Sequence, residues 1–179
     1  NEGSPYAVFT VTGAAGQYVQ LSLANTSSSS DTDATLGTDT GNAGTGVPLQ
    51  YYNGTSWVDY TASSYVQIAS TGTTLLVRTA ITNDTVSDNN ETFKLVATNT
   101  GGTSTPDTQG VATLKDDGTG SKYLGTNTTG TADSTGPGSG FDDDRALSIN
   151  NITVNEGSPY AVFTVTGAAG QYVQLSLAN

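Results

Sequence analysis

Residues 1–25 read NEGSPYAVFTVTGAAGQYVQLSLAN, and the alternation within them decides the fold. In 6–12, Ala7, Phe9 and Val11 point to one side of an extended chain while Val8, Thr10 and Thr12 point to the other. Gly13-Ala14-Ala15-Gly16 supplies a turn, and 17–23 alternates again with Val19, Leu21 and Leu23 on the inward face. Successive side chains of a strand leave on opposite faces, so a two-residue period marks a strand buried on one side. The two runs read as neighbouring strands.

The same 25 letters return as residues 155–179, 154 positions further on. Shared β-composition cannot produce an identity of that length. The chain therefore reads as one period of a tandem array plus the opening of the next, an interior slice of a longer polymer. Units iterated in this way serve as fibres, stalks or spacers.

Outward from this stretch the strand signals continue. Alternating or β-rich runs are expected as strands at 49–52, 57–60, 65–68, 75–81, 91–98 and 109–114, with Asn53-Gly54 forming a tight hairpin turn. Segment 25–46 has little to bury and reads as a long Ser/Thr/Asp/Gly loop. The core is expected to draw on Phe9, Val11, Val19, Leu21, Leu23, Leu75, Val77, Phe93 and Leu95. No run sustains a helical period, and seven or eight short antiparallel strands suit a two-sheet sandwich. The fold class is all-β. The expected domains are a sandwich over 1–117 that lacks its first strand, a Gly/Thr/Ser-rich linker over 118–146, and the first part of the next identical repeat over 147–179. Residues 147–154 read as the first strand of that next repeat, so the strand missing from 1–117 is expected from the preceding repeat of one continuous chain or, alternatively, from a neighbouring subunit.

Composition narrows the function. The chain has 22 Gly and 9 Tyr, but no Cys, His or Met. Disulfides and thiolate metal sites are excluded, and so are Ser-His-Asp and Cys-His catalytic arrangements. Glu2, Glu91 and Glu156 are the three glutamates, none in a cleft-like pattern, and no phosphate-cradling Gly-x-x-x-x-Gly-Lys occurs, so no enzyme is expected. A net charge of −11 argues against nucleic acid or an anionic membrane as partner. No apolar run approaches the roughly 20 residues of a membrane-spanning helix. Acidic, Thr/Asn/Gly-rich, Cys-free chains suit secreted bacterial surface proteins, so an extracellular location is expected.

Four local signatures follow one another in order. Val154-Asn155-Glu156-Gly157 precedes an Ala-Val-Phe-Thr-Val-Thr strand, and Asp59-Tyr60 closes the hairpin after Trp57. Asp88-Asn89-Asn90-Glu91-Thr92-Phe93 leads into a strand, and Ala112-Thr113-Leu114-Lys115-Asp116-Asp117 ends the domain. This order resembles the Calx-β domain, an immunoglobulin-like sandwich of sodium–calcium exchangers, integrin β4 and the long tandem arrays of giant bacterial adhesins. The likeness covers about 125 residues of a period, departing from the family in the 25–46 insert and the long linker. It implies calcium at one end of the sandwich, with Glu2 (equivalently Glu156), Asp59, Asp88, Glu91, Asp116 and Asp117 as candidate ligands. Calcium needs only oxygen donors, which these residues offer, although Asp and Asn are also common in solvated turns. Asp142-Asp143-Asp144 reads as a solvated charge run, with a second ion at the junction as the alternative.

Weaker signals remain. Asn-x-Ser/Thr occurs at Asn25, Asn53, Asn83, Asn90, Asn127 and Asn151, as chance allows in a Thr-rich chain. Trp57 with Tyr51, Tyr52 and Tyr60 could offer a sugar-stacking platform, but strand-face packing is the commoner use of such aromatics. The functional expectation is a structural repeat of an extracellular filament or adhesin stalk, with neighbouring identical repeats as partners. The alternative is an adhesin module that binds a glycan or cell surface.

Overall fold

The computed structural model describes residues 1–26, 33–41, 49–99 and 107–178. The turn-rich link at 100–106 and half of the 25–46 loop lie outside the described residues. The chain is all-β. Eight strands build the body: β1 Tyr6–Thr12, β2 Tyr18–Ala24, β3 Leu49–Tyr52, β4 Trp57–Asp59, β5 Val66–Gln67, β6 Thr74–Ala80, β7 Thr92–Asn99 and β8 Thr108–Thr113. Four two-residue strands follow, β9 Ser121–Lys122, β10 Ser134–Thr135, β11 Ser148–Ile149 and β12 Val165–Thr166.

Two four-stranded antiparallel sheets form, in the orders β1-β6-β3-β4 and β5-β2-β7-β8. Their apolar faces meet in one core. Val11, Val19, Leu21, Leu23, Leu75, Val77, Phe93 and Leu95 are buried in it, and Phe9 packs against it half-buried. Phe93 is fully buried and takes the Phe9 ring edge-on, centroids 5.9 Å apart. Burying a side chain of that size is worth about 2–3 kcal/mol.

β1 and β2, expected as neighbours, lie in different sheets. The turn between them crosses the sandwich: Gly13 donates to Thr73 O beside β6, while Gly16 and Gln17 bond to Ile68 beside β5. Two consecutive strands, each apolar on one face, bury those faces against each other across a core rather than side by side. The hairpin after Tyr52 also differs from expectation. Tyr52 pairs with Trp57, leaving four residues in the loop, and Asn53 Oδ1 accepts from the amides of Thr55 and Ser56. The Asn side chain thus organises a wider turn, and Gly54 takes its positive φ of 95°.

The 118–146 stretch, expected as a linker, folds back onto the body. β9 pairs with β10, Tyr123 bridges to Tyr6, and Asp143 bridges to Asp117. Arg78 anchors this strap. Its guanidinium lies 3.8 Å from the Tyr6 ring centroid and 4.3 Å from that of Trp57, and it donates to Gln50 Oε1 and Gly125 O. Trp57 Nε1 donates to Asn127 O, 2.9 Å away. Polar anchoring of this kind leaves no hydrophobic period in the sequence.

Residues 147–178 contrast with their first-copy counterparts. β11 pairs with β12, but Phe163, Val165, Leu175 and Leu177 are exposed, whereas Val11, Leu21 and Leu23 in the first copy are buried.

Candidate metal centre

The start of the chain is placed by Asn1. Its side chain donates to the carbonyls of Lys115, Thr119 and Asp142, and its Oδ1 accepts from the amides of Gly3 and Asp142. Glu2 N then donates to Lys115 O at 2.8 Å. These bonds set Glu2 beside Asp116, the first acidic residue after β8, and beside the 142–144 segment that leaves the strap.

Carboxylate oxygens of Glu2, Asp116 and Asp142 consequently lie within 4.8 Å of one another. Calcium–oxygen distances of about 2.4 Å put opposite ligands about 4.8 Å apart, so this spacing can enclose one ion. Glu2 and Asp116 are buried, Asp116 at 1% exposure. Four buried oxygens here have no hydrogen-bond donor: Glu2 Oε2, Asp116 Oδ2, Asp142 Oδ2 and Asp144 Oδ2. Their partner oxygens are held, Glu2 Oε1 by the Asp84 amide and Asp116 Oδ1 by the Asp144 amide. The Glu2 and Asp116 carboxylates are therefore each held by one oxygen with the other free.

The electrostatics agree. Burial pushes the Glu2 carboxyl up to about 7, and the charges of Asp88, Asp116 and Asp84 push the same way. Burial raises Asp142 to about 6, helped by Asp144, and lifts Asp144 above the ordinary range with Asp116 as the next cause. The only ion pair among the described residues joins Arg145 to Asp143 at 2.7 Å, so no side-chain cation neutralises the four carboxylates. Buried charge without a partner is costly, and a divalent cation removes that cost.

A second acidic group adjoins the first. Glu91 is raised to about 7 by burial, by the Asp88 charge and by Asp39, with which it shares a hydrogen bond. Burial and the Asp84 charge raise Asp88 as well.

The expected ligands thus divide. Glu2 and Asp116 stand in the cluster, and Asp88 and Glu91 stand in the group beside it. Asp117 turns away: one oxygen accepts from Thr119 and the other from Asn89, bonds that carry it below its usual range despite burial. Asp59 accepts from Gln50 Nε2 on an exposed stretch of β4 and is not one of the clustered residues. Glu156 is exposed in the second copy. Asp142 and Asp144, read as a solvated run, are drawn in because the strap returns to the domain end. The triple Asp was the available signal, and only the strap's path reveals its use.

The weaker motifs also resolve. Asn127 is buried, with its amide donating to Thr131 O and Asp133 and its oxygen accepting from Thr129 and Gly130, so it cannot carry a glycan in this fold. Trp57 packs against Tyr52, centroids 5.5 Å apart, and against Arg78. No family model matches the chain, and neither curated proteins nor solved structures include a match.

Proposed function

We propose that this protein is a structural module of an extracellular bacterial filament or adhesin stalk, repeated end to end and stiffened by calcium. It carries no catalysis, and its sandwich is of the immunoglobulin-like, Calx-β-like kind. One observation carries the reading: the acidic cluster is assembled from both ends of a single period. Glu2 comes from its opening, Asp116 from the end of β8, and Asp142 and Asp144 from the segment that runs directly into the next copy at 147. An ion held by these residues ties the entry of one unit to its exit and fixes the joint between units. Calcium suits the site because three clustered carboxylates, with Asp144 next to them in the chain path, supply hard oxygen ligands with no nitrogen or sulfur.

Thermal unfolding in millimolar calcium and in chelator tests this. Calcium at about 100 times its Kd adds roughly 2.7 kcal/mol, a rise of about 5–10 °C for a domain of this size. Asp116→Asn should abolish that rise, whereas Asp117→Asn should leave most of it. Equal midpoints with and without calcium would remove the metal from this reading. The competing reading, an adhesin module that grips a glycan, predicts binding by one isolated repeat on a glycan array.

A further inference from the structure

Two edges of the sandwich open onto the same groove. Among the described residues β1 has β6 as its one strand partner beyond the bridge of Tyr6 to Tyr123, and β8 has β7. Cavities of about 320 and 200 Å³ lie between these two edges and share Phe9 along their walls, the larger also walled by Gly120, Ser121 and Tyr123 of the strap. The gap explains why Phe9 is only half-buried. Paired edges with apolar side chains between them are a template for one more strand.

The sequence and the second copy identify that strand. β1 runs from the acidic end to the Gly13 turn, and β8 runs back, ending where Lys115 O accepts from Glu2 N. A segment that leads into Asn1 must therefore run parallel to β8 and antiparallel to β1. In the second copy the residues leading into Asn155 are 147–154, LSINNITV. Eight extended residues span about 26 Å, enough to run the length of β1 and β8. Their first half already shows its pairing: Ser148 stands opposite Thr166 and Ile149 opposite Val165, the counterparts of Thr12 and Val11 on β1. The apolar phase then shifts. Leu147 and Ile149 share one face, Ile152 and Val154 the other, with Asn150-Asn151 between. A strand that begins on one sheet edge and crosses to the other needs such a shift to keep both halves facing the core. Leu147, Ile149 and Val154 are exposed where they now stand.

We propose that the groove between β1 and β8 is the seat of residues 147–154 of the adjoining copy of this sequence. Residues 147–149 lie antiparallel on β1, and 152–154 lie parallel on the end of β8. The unit boundary then falls at 147, and each copy is closed by the strand that leads into it. This rests on the reading that copies adjoin one another, and it is independent of calcium.

The test adds the free peptide LSINNITV to the 179-residue chain and follows amide exchange. Saturable one-to-one binding is expected, with at least tenfold slower exchange in 8–12 and 110–114. A peptide carrying Ile149→Asp and Ile152→Asp should not bind. No binding by the native peptide overturns the assignment, as does equal protection by the doubly substituted one. So does a result in which a 155–166 peptide, and not LSINNITV, protects β1 and β8. The calcium-dependent midpoint, measured on the same sample, keeps the two readings apart: a rise with calcium but no peptide binding sinks the groove alone.

Discussion

Arg78 is the most consequential single residue outside the acidic end. It stacks on Tyr6 and Trp57 and reaches Gln50 and the strap carbonyl of Gly125, and burial lowers its affinity for its proton. Arg78→Lys keeps the charge but loses the planar fork, so a loss of about 2 kcal/mol is expected in denaturant unfolding. Proteolysis within 118–146 should quicken in the same variant. A change confined to stability, with the strap as resistant as before, would place its role in the sheet alone. Asn127 is the comparable residue within the strap, with all four of its hydrogen-bonding positions used. Neither residue was legible as an anchor in the sequence, because an isolated Arg among aromatics and an Asn in a Thr-rich run are indistinguishable from surface letters until their partners are placed.

At the level of elements, the repeat provides an internal control. Both copies of the 25 residues form the same turns: Gly3 N and Gly157 N each bond to the Asn two residues before, and Ala14 N and Ala168 N each bond to the Gln three residues on. The strands differ. The first copy makes two seven-residue strands, and the second, among the described residues, makes only β12. Turns are written locally, whereas a strand requires a neighbour to satisfy its backbone and a face to bury. This is why alternation located all eight body strands, yet the pairing of β1 with β6 rather than β2 was not readable. The same contrast predicts where stability resides. Phe93→Ala should cost about 3–5 kcal/mol, since Phe93 is fully buried against Phe9 and the core. Phe163→Ala, in the exposed second copy, should change the unfolding midpoint of the 179-residue chain negligibly.

For the whole molecule the acidic end sets the dependence on pH. In the calcium-free protein Glu2 and Glu91 titrate near 7 against an ordinary value of 4.5, and Asp142 near 6 against 3.8. Between those limits the folded state binds more protons than the unfolded chain, so stability falls as pH rises from about 4.5 to about 7. At the proposed site calcium would take the charged carboxylates, so adding it should reverse the trend and give its largest increment above pH 7. Scans at pH 5 and pH 8, each with calcium and with chelator, check both signs. A calcium-free midpoint that climbs between pH 5 and 8 would contradict the arrangement. Glu2, Asp88, Glu91 and Asp116, four of the six acidic residues brought together here, were singled out in advance by the Calx-β resemblance at expected strand ends. Asp142 and Asp144 were not, since they reach the site only through the strap.

Asn1 and Asp142 clasp one another directly, Asn1 Nδ2 to Asp142 O and Asp142 N to Asn1 Oδ1. Asn1 thus holds the segment that runs on into the second copy of the 25 residues. If copies adjoin as proposed, tension would enter through the strand seated between β1 and β8, reach this clasp, and leave through 147. The strength of such an array would then depend on how many bonds each strand and clasp shear at once, and its stretch on how much folded chain lies in reserve behind a clasp that gives way.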